Sequence, residues 1–150
     1  MRDGVPTVRA VGDVWVVENP AVLALALDEF GAGVPAMVCC SGWPSTAAIQ
    51  LLDGLRGAGH PLWYHGDLDG EGVRIAAHVI ATTGARAWRM SATDYLANVA
   101  ERGAGVGRVT PAPWDDALAP AMLERGIAVL EETVWPDLRH DLRTAPATPR

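Results

Sequence analysis

The chain has 150 residues, 49% of them hydrophobic and 20% charged. That balance excludes intrinsic disorder, coiled coil and collagen-like repeats, and the length suits one domain able to bury about two-thirds of its unfolded surface. The formal net charge of −6 argues against attraction of the whole molecule to nucleic acid.

The elements follow in a regular order. Val14–Val17 is a short β-rich apolar run and reads as a buried strand. Ala21–Phe30 reads as a helix with Pro20 near its first turn, ended by Gly31 and Gly33. Ala36–Cys40 is a second buried strand, followed by a turn at Ser41–Pro44 and a helix to Ala58 capped by Ser45 or Thr46. Pro61–His65 is a third strand, and Glu71–Thr83 a helix with Val73, Ile75, Ala76, Val79 and Ile80 free to pack. A fourth strand is predicted over Ala85–Met90 and a helix over Ser91–Arg102. Helices alone are predicted beyond Gly103, over Trp114–Arg125 and Ile127–Leu142, with Leu118, Met122, Leu123, Ile127, Val129, Leu130 and Val134 forming a cap on the sheet. Repeated strand-helix units imply an α/β fold: a parallel sheet of about four strands with right-handed crossovers, helices on both faces and a helical C-terminal cap. One domain over residues 1–143 and a disordered tail over 144–150 are expected.

Several chemistries are excluded or disfavoured at once. All 12 cations are Arg, so Schiff-base catalysis and a phosphate-binding Lys are ruled out. Cys39 and Cys40 are neighbours that would point to opposite faces of a strand, and read as buried thiols in a reducing compartment. The longest apolar run, Ala21–Leu27, is too short to span a bilayer, and no leader pattern opens the chain. A soluble, cytoplasmic protein without membrane contact is expected.

Ligands in open parallel sheets bind beyond the carboxyl ends of the strands. The residues expected there are Glu18, Ser41-Gly42 and Asp67-Leu68-Asp69. On extended backbone Asp67 and Asp69 point the same way with Cβ atoms roughly 6–7 Å apart, a spacing at which two carboxylates hold one hard cation. Mg²⁺ suits such a pair because it keeps water positions for substrate phosphates, and no His/Cys cluster at zinc spacing competes. Asp69 reads equally as a cap of the following helix and Glu18 as a solvated loop residue. Ser41-Gly42 reads equally as a phosphate cradle or an ordinary turn. A calcium loop starting at Asp67 is rejected, because His78 stands where the bidentate Glu belongs. His60 and His140 read as surface residues, His65 as structural ahead of a residue facing the same edge as Asp67, and Glu131 and Glu132 as a solvated helix face ahead of an added acidic ligand.

Taken in order, Glu18 after a first strand and Asp67-Leu68-Asp69-Gly70-Glu71-Gly72 after a third resemble the Toprim domain of topoisomerases, primases and related nucleases. More closely, Glu18-Asn19-Pro20, Cys40-Ser41-Gly42-Trp43-Pro44-Ser45 and His65-Gly66-Asp67-Leu68-Asp69 resemble a Toprim-like C-terminal domain of unknown function. That domain is found in JetD-type subunits of Wadjet plasmid-defence systems and related bacterial proteins, and is akin to the Toprim domain of the topoisomerase VI A subunit. The likeness runs from about Val11 to Leu142, with Trp88-Arg89-Met90, Asp94-Tyr95 and Pro113-Trp114-Asp115 in keeping.

The resemblance implies that Glu18 is the general acid/base, that Asp67 and Asp69 bind Mg²⁺ or Mn²⁺, and that Glu71 is an optional third metal-site carboxylate. It implies a Mg²⁺-dependent DNA endonuclease, with DNA and SMC- or condensin-like defence subunits as partners. Such domains sit behind a longer N-terminal region, so a fragment or shortened member is expected. Asn19-Pro20 replaces the Gly that often follows the Glu, and no separate domain offers a nucleophilic Tyr, so hydrolysis is expected rather than strand passage. Two other functions stay open. One is a non-catalytic module that docks DNA or a partner. The other is a haloacid-dehalogenase-like phosphatase with Asp67 as nucleophile.

Overall fold

A computed structural model describes residues 12–145. Its centre is a four-stranded, wholly parallel sheet in the order β2-β1-β3-β4. Strand β1 (Val14–Val17) is buried along its whole length, as its unbroken apolar sequence requires of a strand hydrogen-bonded on both edges. It pairs with β2 (Met37–Cys39) and with β3 (Leu62–His65), so that Val17 has Cys39 on one side and His65 on the other.

The helices start and stop where short polar side chains and glycines direct. Asn19 caps α1 (Pro20–Phe30) by accepting the Ala21 N–H, and Gly31 ends it at φ +54°. Ser45 caps α2 (Thr46–Gly57), and Asp69 caps α3 (Gly70–Thr83) through the Gly72 N–H at 2.7 Å. The β1-to-β2 connection and the return from β2 to β3 run in opposite directions, so right-handed crossovers place α1 and α2 on opposite faces. Helices α2 and α3 pack side by side on one of them.

Three predicted elements differ. The fourth strand is only Arg86–Ala87, because Arg89 takes a left-handed φ of +53° and turns the chain out of the sheet. The helix after it, α4 (Ala92–Asn98), opens with a Ser91–Asp94 capping box and ends at Val99, which is extended. The helix expected from Trp114 begins only at Leu118, as α5 (Leu118–Arg125), after a turn in which Asp115 accepts the Ala117 N–H.

The largest departure is the stretch from Ile127. It is not helical at first: Gly126 is left-handed, Ile127 bridges Gly105, and Val129 exchanges both backbone hydrogen bonds with Leu68. A 3₁₀ turn at Glu131–Val134 then leads into α6 (Trp135–Thr144). Alternate residues therefore face inward, with Val129 buried and Leu130 exposed, and Leu123 of α5 is also exposed. Leu118, Met122, Val134, Leu138 and Leu142 do close the core. Asp141 anchors α6 by accepting from Trp88 Nε1 and from both Nε and Nη2 of Arg89, each at 2.8 Å. His60, expected on the surface, is buried, and its Nδ1 donates to the Gly12 carbonyl. Both cysteines are free thiols; Cys40 is buried and Cys39 only half-buried. No helix among the described residues is long and apolar enough to cross a membrane. The predicted tail beyond Ala145 lies outside the described residues, and Thr144 is the last residue of α6.

Candidate active site

Strands β1 and β3 are neighbours, yet the helices that follow them leave toward opposite faces, which opens a crevice at their carboxyl ends. Glu18, one residue past β1, and Asp67, two past β3, stand on its two sides. Their contact is direct: the Asp67 N–H donates to Glu18 Oε2 at 2.8 Å. Gly66 lies between them, and a Cβ there would sit 2.7 Å from Glu18 Oε2, so a side chain at 66 would displace the Glu18 carboxylate. Gly72 has to be glycine, because the backbone carbonyl oxygen of Asp67 lies 2.0 Å from where a Cβ would be. The glycines flanking Asp67 and Asp69 thus let the backbone fold tightly around the acids.

The structure answers the open readings of each acid. Asp69 is the cap of α3, engaging one carboxylate oxygen. Glu18 is no solvated loop residue; it is partly withdrawn from water and bonded across the crevice. A cleft of about 270 Å³ is lined by Glu18, Asn19, Pro20, Ser41, Gly42 and Asp67. Ser41 and Gly42 therefore reach the site. The Gly42 N–H is already committed to the Glu18 carbonyl, and the α2 cap lies further on at Ser45. Glu71 sits on the first turn of α3, where Oε1 accepts from Trp43 Nε1 at 3.1 Å.

Sequence reasoning ranked a ligand role for the residue that ties the site together below its solvated reading. Glu131, expected on a solvated face, is completely buried. Its carboxylate accepts from the backbone N–H of Glu18 at 3.3 Å and of Asn19 at 2.8 Å. It also accepts from His65 Nδ1 at 2.9 Å, and its own N–H donates to Asp67 Oδ1 at 2.7 Å. His65 is fully buried as well, with Nε2 unpartnered among the described residues, as is the Tyr64 hydroxyl. Asn19 adds a further link, its side-chain amide donating to Glu132. The signal for Glu131 was present in the two-residue alternation of Ile127 and Val129 after Gly126, which marks an extended approach rather than a helix.

This crowding sets the electrostatics. Burial pushes the Glu18 carboxyl up to about 7, and the charges of Asp67, Glu131 and Asp69 add to the rise against the Asp67 N–H. Asp67 is pushed up to about 6, again mainly by burial and then by Asp69, Glu131 and Glu132, with the Glu131 N–H opposing. Hard carboxylate oxygens in surplus negative charge suit Mg²⁺, which needs one or two of them and keeps its other positions for water. Asp67 and Asp69 each bond one oxygen to a backbone N–H and keep the second free of protein donors among the described residues. No three His, Cys, Asp or Glu side chains among those residues form a complete metal cage. The free oxygens of Asp67 and Asp69 are of the hard, anionic kind that such a cation takes.

Fold and site together define an α/β domain with a carboxylate cluster at the switch point of a parallel sheet. The family described as "Protein of unknown function C-terminus (DUF2399)" matches residues 2–142, and the chain belongs to that family. No curated protein matches it.

Proposed function

We propose that this chain is a Toprim-like nuclease domain that hydrolyses DNA phosphodiester bonds with Mg²⁺ or Mn²⁺. It would work inside a larger DNA-processing assembly, of the plasmid-defence kind with SMC- or condensin-like subunits. The observation that carries the reading is the meeting of Glu18 with Asp67 across the switch-point crevice, beside Asp69 and over an open cleft. Asp67 and Asp69 hold the cation. When bound, the metal stabilises negative charge that develops on the phosphoryl oxygens. Glu18, with its carboxyl near 7, is suited to exchange a proton at neutral pH, taking it from the attacking water or giving it to the leaving oxygen. Glu131 keeps Glu18 and Asp67 in register from beneath without touching substrate.

A second reading has its own support. Glu18 and Asp67 each close on a backbone N–H, which holds the crevice together without a metal and would suit a docking module. One experiment separates them. Supercoiled plasmid should be nicked by the purified protein with Mg²⁺ or Mn²⁺, and Glu18→Gln should slow nicking by about 10²-fold or more. The Gln carbonyl still accepts the Asp67 N–H, so the fold is spared. Equal nicking by the variant would remove Glu18 from the mechanism. DNA binding without nicking by the wild type would favour docking. Phosphate release from an aryl phosphate would make Asp67 a phosphatase nucleophile instead.

A further inference from the structure

The turn between β2 and α2 carries a feature that the acid cluster does not explain. Ser41 holds a left-handed φ of +55°, unusual for a residue with a side chain, and Gly42 follows at +84°. The result throws Trp43 outward. Of the six tryptophans it alone is exposed, at 51%. It is nonetheless held in place, its Nε1 donating to Glu71 and its ring centroid 5.8 Å from that of His78. Glu71 and His78 lie two turns apart on one face of α3, the helix that Asp69 caps. The indole is thereby registered to the acidic cleft, whose wall includes the two residues just before it, Ser41 and Gly42. Between Glu71 and His78 on that helix lies Arg74, bonded to the Arg108 carbonyl and still partly exposed.

We infer that Trp43 is a stacking platform for a base of a single DNA strand crossing the acidic cleft, with Glu71 and His78 holding the ring in position. The inference rests on the nuclease reading above and adds the form of the substrate to it. An indole face meets any unstacked base by its π-surface and needs no hydrogen-bond code. A base within a duplex is already stacked on both sides, so the platform selects single-stranded or locally opened DNA.

The test compares binding of a short thymidine oligonucleotide with that of an abasic oligonucleotide of equal length, both in Mg²⁺ on a Glu18→Gln background. The abasic strand keeps every phosphate and lacks only the bases. Trp43→Ala should weaken thymidine-strand binding by about 5- to 150-fold and leave the abasic strand unchanged, while Trp43→Phe should retain most of the affinity. Unchanged binding of both strands by Trp43→Ala would overturn the inference and leave the nicking result untouched. An equal loss on both strands, in Trp43→Ala and Trp43→Phe alike, would also overturn it, showing that Trp43 only shapes the loop. Failure of the wild-type chain both to bind and to nick would overturn this inference and the nuclease reading together.

Discussion

At the scale of single residues, the cost of the site is electrostatic. Glu18 and Asp67 are each withdrawn from water among other acids, so both are easier to keep protonated in the folded chain than in the unfolded one. A carboxyl raised in this way contributes stability that is complete below its unfolded pKa and is lost as pH rises through its folded value. The window is set by ordinary values of 4.5 and 3.8 against about 7 and about 6. The melting temperature in EDTA should therefore fall as pH rises from near 4 to near 7, and Asp67→Asn should flatten that fall and melt above wild type at pH 7.5. The Asn carbonyl still accepts the Glu131 N–H, so the change isolates charge. Adding 10 mM Mg²⁺ should raise the wild-type melting temperature by about 3–6 °C, for a dissociation constant of about 1 mM. The Asn variant should lose most of that shift. Thermal melts across pH, with and without metal, check both; a wild type indifferent to Mg²⁺ and Mn²⁺ with a less stable Asn variant would make Asp67 structural.

At the scale of elements, the 3₁₀ turn at Glu131–Val134 is the strut beneath the site. One buried carboxylate gathers donors from the β1–α1 loop and from the end of β3. Removing it leaves two backbone N–H groups and the buried His65 ring without their acceptor. Truncating one partner of such a buried cluster costs about 3–5 kcal/mol, so Glu131→Ala should be strongly destabilised in urea titrations. Glu131→Gln keeps one carbonyl acceptor and should lose markedly less. Equal stability of the Ala variant and wild type would show that the strut is dispensable. The extended segment before the turn follows the same logic. Ile127, Leu130 and Val134 match a helical period while Ile127 and Val129 match a strand period, and the pairing of Val129 with Leu68 decides between them.

At the scale of the whole molecule, the C-terminal third seals the face of the sheet that carries Trp15, Trp63, His65 and Trp88. Trp15 stacks on Trp63 with centroids 6.0 Å apart and meets Trp88 at 4.6 Å, and α6 is clamped there by Asp141. The outer end of α6 reaches α1 through Arg143 and Glu29. Truncation before Trp114 would remove buried Leu118, Met122, Val134, Leu138 and Leu142 together with Glu131. The shortened chain should aggregate and lose cooperative unfolding, as size-exclusion chromatography and calorimetry would show. A monomeric, cooperatively melting product would mean that strands and helices up to α4 are self-sufficient.

The sequence alone determined the strands β1 to β3, the helices α1 to α3 and the arrival of Glu18 and Asp67 at one edge, and it offered Ser45 and Asp69 as caps among alternatives. These follow from local rules: apolar runs, short polar caps and glycine stops act within a few residues, and strand-helix alternation implies parallel pairing. Only the tertiary structure decided the partners of those groups. Glu131 lies 113 residues from Glu18 along the chain, and only the short alternation after Gly126 distinguishes it from the exposed Glu132 beside it. Its burial follows from the Leu68–Val129 pairing, which sets the register of the turn, and from His65 and the β1–α1 backbone, which supply donors a buried carboxylate must have. The attachment of Trp43 to Glu71 is of the same kind, a contact between two loops that the sheet brings together.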